Sequence, residues 1–130
     1  MKQLKTIWLT IILVFIMAIT AFADSSGEFM RGQDENGICW QYKENKEYVK
    51  NRWIQNYEGN WYYAGEDTKF LKNTWLHDTS GKWYYFGNDW AMMHDTTTPD
   101  GCHVGSDGAW IKDGEVVVES PSATETITNN

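Results

Sequence analysis

A chain of 130 residues is long enough for one domain or two very small ones. Its 11 Lys and Arg against 18 Asp and Glu give a formal charge of −7, which disfavours a nucleic-acid partner, because phosphate binding needs clustered basic side chains. The 8 Trp and 7 Tyr argue against disorder, and 2 Cys cannot build the dense disulfide framework of a small toxin-like fold.

Residues 1–23 read as a helical signal peptide. Lys2 and Lys5 precede an apolar run from Ile7 to Ile19, and Ala21-Phe22-Ala23 supplies a small-residue cleavage site. The run is short for a membrane-spanning helix. Cleavage after Ala23 predicts a secreted chain with 9 basic and 18 acidic residues, a formal charge of −9, and 7 Trp. Residues 24–36 are polar and read as a linker. Residues 120–130 are polar and patternless and read as a flexible tail.

Between them, residues 37–119 repeat. Cys39-Trp40-Gln41-Tyr42, Asn60-Trp61-Tyr62-Tyr63 and Lys82-Trp83-Tyr84-Tyr85 align, with their Trp residues 21 and 22 positions apart. Trp53 and Trp75 each precede the next aligned Trp by eight residues. Val49, Phe70 and Met92 follow the aligned Trp residues by nine. A last, degenerate copy matches Val104–Trp110 to Phe86–Met92 at an offset of 18, which puts Cys102 and His103 in the slots of Tyr84 and Tyr85. Trp, Tyr and Phe favour strands, and the Gly, Asn and Asp clusters between them mark turns. Asp113-Gly114 is a hairpin turn signal. A hairpin of about 20 residues buries no core alone, so stacked copies are required. The predicted fold is all-β: a short β-solenoid of stacked hairpins. Many of the rings serve as the core between copies, while flat amphipathic rings at the junctions suit quaternary ammonium groups or sugar faces.

Trp53 with Trp61-Tyr62-Tyr63, and Trp75 with Gly81-Lys82-Trp83-Tyr84-Tyr85-Phe86 and Ala91-Met92, resemble the cell-wall-binding (choline-binding) repeats of Gram-positive surface proteins. The resemblance covers roughly residues 37–112. It implies ligand sites between adjacent hairpins, walled by two Trp of one copy and a Tyr of the next, with a Met at the floor. Carried over, one junction has Trp53, Trp61, Tyr85 and Met92. The next has Trp75 and Trp83 with His103, and the preceding one has Trp40 with Tyr63. Arg52 and Thr74 depart from the Gly that the family prefers before its first Trp.

The resemblance implies a non-catalytic module attached to the cell wall, with choline-bearing teichoic acid or another cell-wall glycopolymer as partner. Glucan or peptidoglycan-sugar binding by the same rings is the alternative. A purely structural or protein-interaction array is another. The exposed ends of a short array also allow a homodimer through end hairpins. The residues themselves present no catalytic constellation, metal motif or cofactor motif. His77-Asp78 and His94-Asp95 read as solvated turn residues. Cys39 and Cys102 lie in the first and last copies, and the distance limit for a disulfide favours free thiols.

Overall fold

The computed structural model describes residues 27–120; the signal-peptide reading, its cleavage site and nearly all of the predicted tail lie outside them. The described residues contain strands and turns and no helix. They divide into two compact units, with the boundary between Val49 and Lys50.

The first unit is an antiparallel sheet in the order β1 (Glu28–Asp34), β2 (Gly37–Glu44), β3 (Glu47–Tyr48). β1 stands where the sequence predicts a linker, so the linker reading of residues 24–36 is corrected from Glu28 onward. The cause is a turn at Asp34-Glu35-Asn36-Gly37, where Asp34 Oδ1 accepts the Asn36 N–H at 2.7 Å. The turn reverses the chain and lays Phe29 opposite Tyr42 and Arg31 opposite Trp40.

The second unit contains three further hairpin-based elements. β4 (Arg52–Gln55) pairs with β5 (Trp61–Ala64), and β6 (Thr74–His77) pairs with β7 (Trp83–Phe86). The last sheet has the order β11 (Glu115–Val116), β10 (Trp110–Lys112), β9 (His103–Val104), β8 (Thr96–Thr97). The turns follow from sequence chemistry. Asn56 Oδ1 accepts the N–H groups of Glu58 at 3.0 Å and Asn60 at 2.9 Å. Asp78 Oδ1 repeats this with Ser80 at 3.0 Å and Lys82 at 3.1 Å. Each carboxylate or amide oxygen answers amides that the strand ladder leaves free. Asp113 (φ 53°) and Gly114 (φ 80°) form the turn between β10 and β11 that the sequence predicts.

The copies keep one register. Asn51, Asn73 and Asp95 donate their backbone N–H groups to the carbonyls of Gly65, Gly87 and Gly105. Thr97 pairs with His103 where Trp75 pairs with Tyr85. Relative to β6–β7, the β8–β9 hairpin is two residues shorter on each side of its turn. That shortening explains why the last copy aligns at an offset of 18. Ala64, Phe86, Val104 and Ala109 are fully buried and mark the core of this unit. Cys39 and Cys102 are both free.

Candidate functional site

Alternation along β4 and β5 puts Trp53, Trp61 and Tyr63 on one face, and directly opposed pairing sets Trp53 against Tyr63. Their centroids lie 5.4 Å apart at 76°. Trp53 meets Trp61 at 6.2 Å and 84°, so the two indoles form adjoining walls at right angles. The next hairpin supplies the third wall. Tyr84 stands edge to face against Trp53 at 5.0 Å and 80°, and Phe86 tilts beneath Trp53 at 5.5 Å. Met92, which is 9% exposed, is fixed by its N–H donating to the Trp61 carbonyl at 2.8 Å. Trp53, Trp61, Tyr84 and Met92 line an open cleft of about 500 Å³, with Asp78 and Asp107 also in its lining.

Tyr85, expected as the third wall, does not serve that role. It is buried and packs under Trp75 of its own hairpin at 5.2 Å. The physical reason is the period of the strand. Trp83 and Tyr85 share one face of β7, while Tyr84 points to the other, and that other face meets the preceding hairpin.

Carboxylates act on the ring wall of the cleft, whose lining also includes His94. Burial and then the nearby carboxylates of Asp78 and Asp107 push the Tyr84 hydroxyl above its ordinary pKa of 10.0. The same carboxylates have fixed positions. Asp78 Oδ1 holds the turn amides described above, and Asp107 Oδ1 accepts the Ala109 N–H at 3.1 Å. A neutral ring wall beside two ordered anions suits a bulky cation.

The structure gathers part of the second predicted group. Trp75 and Trp83 line a smaller cleft of about 280 Å³, with Trp110 and Cys102 as neighbours. His103 is not one of its lining residues; it is exposed and pairs with Thr97 and Ile111. His103 holds the slot of Tyr85, and the same alternation turns it away, while Cys102 in the slot of Tyr84 lines the cleft. His77 is also not a solvated turn residue. It belongs to β6 and stacks on Trp83 at 4.3 Å with 8° between planes.

Of the third predicted pair, Tyr63 packs beside Trp53, and Trp40 stands in β2 opposite Arg31. Sequence reasoning missed Phe29. It meets Tyr42 at 5.1 Å and 67°, the relation that Trp53 holds with Tyr63 and Trp75 with Tyr85. The Asn36-Gly37 step, two residues before Cys39, was the available signal that a strand precedes Trp40.

Residues 69–110 match the family model described as choline-binding repeat. The choline binding domain of Spr1274 from Streptococcus pneumoniae is similar in structure, with 25% identity and a TM-score of 0.51, over 63% of this chain and 93% of that one. CbpF in complex with ipratropium aligns at 24% identity and a TM-score of 0.46, over 68% of this chain and 32% of that one. No curated protein matches the sequence.

Proposed function

From a chain that carries choline-binding repeat sequence over residues 69–110, we propose an exported, non-catalytic module that holds choline groups of a cell-wall teichoic acid, its hairpins winding as a β-solenoid. The observation that carries this reading is the cleft of Trp53, Trp61, Tyr84 and Met92 beside Asp78 and Asp107. A quaternary ammonium has no N–H to donate and is held by ring faces and by field, and this cleft supplies both.

Each good ring face is worth about 0.5–2 kcal/mol. After the cost of association, one cleft gives a dissociation constant on the order of millimolar. Attachment therefore depends on several choline groups of one polymer meeting several modules, so that avidity supplies the retention. The net negative charge favours approach of the cationic group and opposes a bare anionic polymer.

The test is retention of the secreted protein on a quaternary-amine resin and its release by free choline. The reading requires Trp61→Ala to flow through. Equal retention of Trp61→Ala, or retention on dextran with none on the amine resin, overturns it in favour of a different surface or of glucan binding.

A further inference from the structure

The smaller cleft repeats the larger one position by position, with altered chemistry. Trp75 stands for Trp53, Trp83 for Trp61, Trp110 for Met92, and Cys102 for Tyr84. The tyrosine wall is therefore missing. Glu119, which lies beyond the last hairpin turn, joins the lining instead. Three bonds fix it against β6–β7. Its N–H donates to the Gly81 carbonyl at 2.8 Å, its carbonyl accepts His77 Nε2–H at 2.8 Å, and its Oε2 accepts Trp83 Nε1–H at 3.1 Å. Gly81 is required here, because a Cβ at that position would meet the Glu119 carbonyl oxygen at 2.6 Å.

Asp100 adds a second carboxylate. Its Oδ2 accepts Trp75 Nε1–H at 2.8 Å, and its Oδ1 accepts the Thr98 hydroxyl. The indole edges of Trp75 and Trp83 thus each end on a carboxylate. At the larger cleft the lining carboxylates hold turn amides, and the remaining wall is a ring. A carboxylate has about four acceptor sites, so Asp100 and Glu119 keep capacity for further donors.

Resting on the reading that these clefts hold cations, we propose that the smaller cleft binds a protonated primary amine in preference to a quaternary ammonium. An –NH3+ group brings three donors that replace the water lost from Asp100 and Glu119. A trimethylammonium group brings none, so it desolvates those carboxylates without replacing their hydrogen bonds, and it lacks the third ring face. Trp75, Trp83 and Trp110 then cover the carbon chain of the amine.

Cys102 lines the cleft and reports its occupancy. In the full secreted chain carrying Cys39→Ser, alkylation of Cys102 by N-ethylmaleimide is timed while ethylammonium or tetramethylammonium is titrated. Ethylammonium should protect the thiol at a concentration at least about fivefold lower, the size of effect that one charge-assisted hydrogen bond supports. Asp100→Asn and Glu119→Gln should each reduce that preference. Equal or better protection by tetramethylammonium, or protection by neither ion, overturns the proposal. Nα-acetyl-lysine amide and glucosamine, compared in the same way, separate a peptide amine from an amino sugar as the source. Resin retention that depends on Trp61 reads the larger cleft independently. A retained protein whose Cys102 no amine protects defeats this inference alone, and an unretained protein whose Cys102 is protected defeats only the choline reading.

Discussion

Trp53 and Tyr84 meet edge to face at 5.0 Å across two different hairpins. That single contact joins one copy of the repeat to the next and also makes the corner of the larger cleft. Packing and the proposed recognition therefore use the same rings, and substitutions must be chosen to separate them.

Trp61 is the better probe of recognition, because it is 38% exposed while Trp53 is packed among Trp61, Tyr63, Tyr84 and Phe86. Trp61→Ala should weaken choline binding by about 5–30-fold, the equivalent of one ring face of about 1–2 kcal/mol. Calorimetric titration checks it. The melting temperature should fall less than in Trp53→Ala.

Phe86 is fully buried and touches Trp53 from below. Phe86→Ala should cost about 3–5 kcal/mol of stability, through lost transfer energy and a cavity that neighbouring strands cannot refill. Tyr57, which is 97% exposed, is the control. Its change to Ala should stay within about 0.5 kcal/mol. Urea unfolding of both variants decides the matter.

Gly108 lies at φ +82°, and a Cβ there would meet Met92 Cε and Sδ at 2.5 Å. Met92 lines the larger cleft, so Gly108→Ala should push it outward. The expected result is weaker choline binding together with a loss of about 1–2 kcal/mol, from the strained backbone and the displaced side chain. Chemical-shift changes of the Met92 methyl group report the displacement directly.

The Thr98 hydroxyl, and then the Trp75 indole, hold the Asp100 carboxyl below its ordinary pKa of 3.8. A depressed folded-state pKa gives stability that is present above the unfolded value and lost as pH falls through the folded one. Asp100 thus helps hold Trp75 down to pH values below 3.8. Thr98→Val should raise the Asp100 midpoint back toward 3.8 and move the acid limb of the stability profile to higher pH. It should also destabilise the fold at neutral pH, because the Cys102 N–H loses its acceptor. Carboxyl NMR titration and acid denaturation read the two effects.

Much of this was legible in the residues. The aromatic lattice, the turns at Gly65-Glu66-Asp67 and Gly87-Asn88-Asp89, and the Asp113-Gly114 hairpin are local signals, and local chemistry places them. Alternation also separated Tyr84 from Tyr85. Which of the two faces the preceding hairpin depends on the stacking direction, which no single strand encodes. His103 was misplaced for the same reason: it holds the slot of Tyr85, and the residue that lines the cleft is Cys102, in the slot of Tyr84. Glu119 could not be found from spacing, since it reaches Trp83 by a chain return that belongs to no repeat.

The turn oxygens have a further consequence. Asn56, Asp78 and Thr98 each close their turn onto a backbone amide four residues ahead. Asp67, Asp89 and Asp107 each close theirs onto an amide two ahead. Each of these six bends is thus closed by a side-chain oxygen from within its own few residues. A segment from Asn51 to Lys72 is in this sense a cassette. It can be duplicated in tandem, each added copy bringing its own bends and one more ring corner, so that the number of clefts can change by recombination without any loop being redesigned.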